Sequence, residues 1–294
     1  MKRFMRTFTY IILSIVVAFS ASAYDEIRFH CDSDTTIIND LLKSPELANM
    51  SKQDQMVFFA KKLIGSESNL RQEILEADTT IFTINIHTFN PLSLLSTCVA
   101  LVKAYETSSA PNWRDYADKY ENVMYKGGKA GDFASYFLYP SDWIADNIFR
   151  GNIIDATQRI DGLNIKRREK SIFYISSHKD AFKALANPAN LDRIKMLEMG
   201  FRNHQITYIA NGDLTNTSRL KNVVQDGDII FLLTPEESLD SRVMGILFHD
   251  GDQLRLIHIS PLDGTVIIDP LPFDNYVRRN IKRINGARLM RLER

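Results

Sequence analysis

Apolar positions recur at helical spacing over residues 37–42, 52–63 and 70–75, with polar positions on the faces between. That pattern predicts an N-terminal helical portion, residues 24–80. The period then changes, and residues 81–86 alternate as a strand does. Phe89-Asn90-Pro91 opens the next segment, and an apolar run follows over 92–105. Asn is a preferred N-cap and Pro suits the first helical position, so a helix is expected to begin there. Shorter helices are predicted over 111–120, from Ser141 to about Gly151, and over 179–185 and 191–201, with a strand over 172–175. Beyond Gln205 the chain turns to short runs rich in β-branched residues, at 206–209, 229–233, 243–248, 254–258 and 265–268. Asp250-Gly251 is a hairpin turn signal between two of these. Helices first and antiparallel strands later predict an α+β fold with one mature domain, its core spanning 81–294.

The first 23 residues follow a different pattern. Lys2, Arg3 and Arg6 precede an apolar run over 10–19, and Ala21-Ser22-Ala23 supplies the small-x-small motif of a leader cleaved before Tyr24. The run is shorter than the roughly 20 residues a membrane span needs. An exported chain, periplasmic or extracellular and without a stable span after cleavage, is therefore expected; an uncleaved anchor is the alternative. Basic and acidic residues number 36 each, so losing that leader leaves the mature chain three negative. No basic footprint remains, which argues against nucleic acid as a partner.

With 45% hydrophobic residues, the chain can bury a core without disulfides. Cys31 and Cys98 are its two cysteines, and an oxidising compartment would permit a bridge between them. These cysteines and six scattered histidines show no metal-ligand spacing, so no metal or cofactor is expected. Gly127, Gly128 and Gly131 lack phosphate-loop spacing and read as a flexible loop.

Several short motifs, in this order and spacing, resemble the NlpC/P60 superfamily of papain-like cysteine hydrolases. They are Phe89-Asn90-Pro91, Tyr139-Pro140-Ser141-Asp142-Trp143-Ile144, Asp226-Gly227-Asp228-Ile229-Ile230, Leu239-Asp240, Gly245-Ile246 and His258-Ile259-Ser260 running on to Asp269-Pro270. More narrowly, the chain resembles the N-acetylmuramoyl-L-alanine-amidase-like branch, domain of unknown function 1460. The resemblance implies a helix packed on a mainly antiparallel sheet. It also implies a nucleophilic cysteine opening that helix, where the dipole and unpaired amides favour the thiolate and help hold an oxyanion. Pro91 stands there, with neither a thiol nor an N–H to donate. The family's base is a histidine two residues before a glycine; Val243 stands there and cannot accept a proton. His258 fills the third, orienting position. A family motif resembling Ser-Arg-Leu-His-Tyr is replaced by Ser135-Tyr136-Phe137-Leu138-Tyr139.

These replacements point to a catalytically degenerate relative whose groove, at Asn90, Tyr136, Leu138, Asp142, Trp143 and Asp240, binds a peptidoglycan fragment or a protein partner. Charge-to-apolar exchange at Tyr136, Leu138 and Val243 should make that groove more hydrophobic, which favours a peptide or protein ligand over a charged sugar acid. Asp142 and Trp143 read better as a capped helix start with a core aromatic than as a groove wall. The alternative is an active cysteine amidase using Cys98 with His258 or His87. Cys98 lies seven residues into the helix, where packing explains a thiol better than catalysis does. His249 reads as a solvated turn residue, and His258 alone as a packed strand histidine. A third reading is an assembly protein with no small ligand.

Overall fold

The computed structural model describes residues 27–69 and 82–293. The expected leader and the helix expected over 70–75 lie outside them, as does Ile81 at the start of the strand expected over 81–86.

The N-terminal part pairs two-residue strands in parallel, β1 (Arg28–Phe29) with β3 (Thr83–Ile84) and β2 (Glu67–Ser68) with β4 (Thr88–Phe89). Between them run helices α1 (Asp34–Leu42) and α2 (Lys52–Lys62). The helix expected after Asn90 is α3 (Pro91–Thr107). It starts where it does because Asn90 Oδ1 accepts the Ser93 N–H at 2.9 Å while Ser93 Oγ accepts the Asn90 N–H at 2.9 Å. This reciprocal cap satisfies two amides that the first turn leaves without helical partners. Twelve of its residues are buried, from Leu92 to Ala104, so α3 is a core helix rather than an amphipathic one. It packs against α2, α4 (Trp113–Met124) and the sheet.

The main sheet contains β5 (Ile153–Asp155), β6 (Ile165–Lys170), β7 (His204–Ile209), β8 (Ile229–Leu233), β9 (Ser241–Asp250), β10 (Gln253–Ile259), β11 (Val266–Ile268) and β12 (Ala287–Leu292). Its order is β11-β10-β9-β8-β12-β7-β6, antiparallel at every neighbour, with β5 also pairing β12. Period-2 alternation divides its side chains. Ile229, Phe231, Ile246, Phe248 and Ile257 join the core around α3. Ile230, Leu232, Leu247 and Leu256 pack instead with Phe273, Tyr276 and Val277 of α10 (Phe273–Arg279).

Helix α5 (Pro140–Phe149) begins at its proline, with no side-chain cap from Tyr139. Short helices α6 (Tyr174–Ser177), α8 (Asn211–Leu214) and α9 (Thr217–Leu220) and the longer α7 (Pro188–Met199) complete the fold.

The α+β reading holds, with local corrections. Residues 172–175 form no strand: Ile172 and Ile175 are apolar because they fill a satellite core, and the chain turns into α6. The helix expected over 179–185 is a pair of 3₁₀ turns. Sequence reading misses β6, whose Lys and Arg run is the polar signature of a protected edge strand. It also misses β12, where Arg288 and Arg291 interrupt the apolar run.

Candidate active-site groove

Pro91 is the first residue of α3, and two clefts meet at it. One, of about 730 Å³, is lined by polar groups including Glu67, Asn69, Thr88 and Arg242, together with Val243 and Tyr276. The other, of about 420 Å³, is lined mainly by apolar ones, among them Leu92, Leu138, Tyr174, Phe182 and Leu239. Pro91, Arg242 and Met244 border both, so a single groove crosses the N-terminus of α3 with one polar and one greasy end.

Val243 and Gly245 lie on one face of β9, two residues apart. His258 on β10 is directly opposite Gly245. Only glycine fits at 245: a Cβ there would stand 2.2 Å from the Ile257 carbonyl oxygen and 3.1 Å from His258 Cβ. Val243 is thus the diagonal cross-strand neighbour of His258.

His258 is 1% exposed and does not line the groove. Its Nε2 is 3.0 Å from Asp269 Oδ2, and its ring meets Tyr276 edge-on at 5.4 Å. Burial pulls the imidazole below its usual range, more than the Asp269 carboxylate raises it. Facing a carboxylate oxygen, which can only accept, Nε2 carries the hydrogen and donates it to Asp269. Nδ1 is left buried with no hydrogen-bond partner among the described residues.

Of the other groove candidates, Asn90 and Leu138 line the apolar end. Tyr136 is buried behind it, its hydroxyl accepting from Asn90 Nδ2 at 2.7 Å. Trp143 is fully buried, donates Nε1–H to Ser96 Oγ at 2.9 Å and lies against Phe231, so it is scaffold. Asp142 pairs with Lys126 at 2.9 Å, and burial, opposed by Lys126, raises its carboxyl. Asp240 holds the start of α5 to β9, accepting the N–H groups of Ser141 and Ser241.

Cys98 is completely buried in the body of α3, and desolvation pushes its thiol up, away from the thiolate. Both cysteines are free thiols. His249 is no loose turn residue: Nδ1 pairs with Asp226 at 2.6 Å and Nε2 with the Lys221 carbonyl at 3.0 Å.

His87 meets Cys31 rather than Cys98. Cys31 Sγ is 2.9 Å from His87 Nε2, which is also 3.3 Å from Ser33 Oγ and 3.4 Å from Asp34 Oδ1. Local spacing conceals this cluster, since 56 residues separate the thiol from the imidazole. The one local signal is the Ser33-Asp34 helix start just after Cys31.

A model of N-acetylmuramoyl-L-alanine amidase-like (AmiA-like) proteins matches residues 60–284, which hold the whole groove. The chain belongs to this amidase-like family. An N-acetylmuramoyl-L-alanine amidase from Bacteroides uniformis is 26% identical, with a TM-score of 0.74 over 83% of this chain and 99% of that one. A Bacteroides fragilis protein is 23% identical, with a TM-score of 0.72 over 80% and 100%. A Legionella pneumophila protein assigned to domain of unknown function 1460 is 16% identical, at 0.67 over 88% and 94%. No curated protein matches. The amidase-like match begins after Cys31, Ser33 and Asp34, so the thiol cluster is only partly inside it.

Proposed function

We propose that this family member is an exported, catalytically silent relative of cell-wall amidases that holds the peptide part of a peptidoglycan fragment in the groove at Pro91. The observation that carries the reading is Pro91 itself. Where the NlpC/P60 resemblance requires a cysteine, the residue at the meeting point of both clefts can neither attack a carbonyl nor donate an N–H to an oxyanion. Val243 lines the same groove and offers no proton acceptor.

The lining suits a peptide with charged ends. Arg283 at the polar end suits a carboxylate, Arg242 being paired with Glu236 at 2.6 Å, Glu67 suits an amine, and the Leu92, Leu138 and Phe182 surface takes aliphatic side chains. The expected gain in hydrophobicity applies to Leu138 and to Val243, which packs against the apolar cluster around α10, whereas Tyr136 is withdrawn from the lining. Export is supported by the basic, apolar and small-residue order of residues 1–23. Among the described residues no helix is long and apolar enough to cross a membrane.

Two measurements test this. Incubation with purified peptidoglycan should release no fragments detectable by chromatography, and calorimetric titration with a muropeptide should show binding weakened by Leu138→Asp. Fragment release by the wild-type chain would end the silent-relative reading. Absence of heat at millimolar muropeptide would end the ligand assignment and leave a protein partner for the groove.

A further inference from the structure

The Cys31, Asp34 and His87 cluster lies outside the groove lining and has a geometry of its own. Sγ, a carboxylate oxygen and an imidazole nitrogen lie within 4.8 Å of one another. Two chemistries use such a trio. In a nucleophilic relay the imidazole takes the thiol proton on one ring nitrogen and is oriented by the acid through the other. Here the same nitrogen, Nε2, faces the thiol at 2.9 Å and the carboxylate at 3.4 Å. The three groups converge on one point instead of standing in series.

Convergence is what a metal ion requires. Zinc bonds of roughly 2.0–2.3 Å set tetrahedral ligand atoms about 3.3–3.8 Å apart, so a modest opening of the thiol–imidazole contact would admit the ion. Thiolate, imidazole and carboxylate together match a borderline divalent ion, and three protein ligands leave a fourth position for water. The exposed His30 ring also stands nearby, its centroid 6.0 Å from that of His87.

The site is also built. Asp34 is fully buried, and among the described residues His87 is the only basic side chain within ion-pair reach of it. Its carboxylate accepts the Cys31 N–H at 2.9 Å on Oδ2 and the Ile86 N–H at 3.3 Å on Oδ1, one from each segment that brings a ligand. Asn85 Oδ1 accepts the N–H groups of His87 and Thr88, fixing the turn that presents the imidazole. Such supporting bonds orient ligands before an ion arrives.

We infer that Cys31, Asp34 and His87 bind one zinc-type divalent ion, which clips the segment before α1 to the turn that leads into α3. The site is independent of the groove reading, since it shares no lining residue with the groove. Cobalt(II) is a suitable probe, because a thiolate ligand gives an intense ligand-to-metal charge-transfer band. Titration of the reduced protein should saturate at one equivalent with that band present, and zinc should displace it. Cys31→Ser should abolish the band, and His87→Ala should weaken cobalt binding about tenfold or more. Cys98→Ser serves as the control for the other thiol and should leave the band intact. His87 is one-third exposed, at 34%, and circular dichroism checks that His87→Ala is folded before its cobalt affinity is read. A band that survives Cys31→Ser, affinity unchanged in folded His87→Ala, or no binding at micromolar cobalt would each overturn the assignment.

Discussion

The groove at Pro91 and the cluster at Cys31 are opposites. In the groove the fold packs closely at Gly245, and on the proposed reading the two positions that would react hold a ring without an N–H and an aliphatic side chain. At Cys31 the reactive groups are present and in contact, but their spacing follows no motif and their match to the family is partial. On the proposed reading, the scaffold and its chemistry have parted company. Recognition of a fold by its landmarks says where a reaction would run, and only the side chains at that place say whether it can.

The comparison would break most sharply if chemistry could be put back into the groove. Pro91→Cys with Val243→His should take peptidoglycan hydrolysis from undetectable to measurable, while neither single change does so. A helix-start thiol needs a neighbouring base to activate it. Turnover should stay modest, because Tyr136 and Leu138 replace the cation and imidazole that the NlpC/P60 resemblance implies there. Wild-type turnover equal to that of the double variant would show that the groove never lost its function. The scaffold itself should tolerate little. Gly245→Ala drives a methyl into the Ile257 carbonyl and the His258 side chain, and should cost about 3 kcal/mol or prevent folding, read by denaturant titration.

At the cluster, Asp34→Ala removes the acceptor of two amide groups and should cost about 2 kcal/mol without added metal. Pro91→Ala, by contrast, should change stability by less than about 1 kcal/mol, because at the first helical turn proline mainly stiffens the unfolded chain. If these two substitutions cost the same, the cluster is not the more constrained region.

The groove was more legible in sequence than the cluster, and the reason is range. Asn90-Pro91 is a local cap signal, and Val243 to His258 is a single hairpin, so short motifs announce both. Burial was harder to read: Trp143, Asp142 and Asp240 have groove-like chemistry but serve the α5 junction, where Asp240 bonds to Ser141 across 99 residues. Cys31 and His87 are brought together by the pairing of β1 with β3, two residues long and without periodicity. No local pattern encodes that contact, and in β6 and β12 charged residues break the apolar alternation that marks a strand.

The smallest effect distinguishes two histidines of the same hairpin. His258 is held below its usual range chiefly by burial, although Asp269 pulls the other way. The unfolded chain, with histidine near 6.5, then binds more protons than the native one, so stability rises with pH. This contribution is fully present above about pH 6.5 and is lost as pH falls toward the native value. His249 has the opposite sign: burial lowers it, but the Asp226 and Lys221 hydrogen bonds outweigh that and leave it raised. Its contribution is present below about pH 6.5 and is lost as pH climbs through the native value. Denaturant midpoints at pH 5.5 and 7.5 should therefore diverge. His258→Gln should lessen the acid-side loss, and His249→Gln should increase it. Identical pH slopes in the two variants would mean that the strand imidazole next to Val243 is no more desolvated than its paired, half-exposed neighbour.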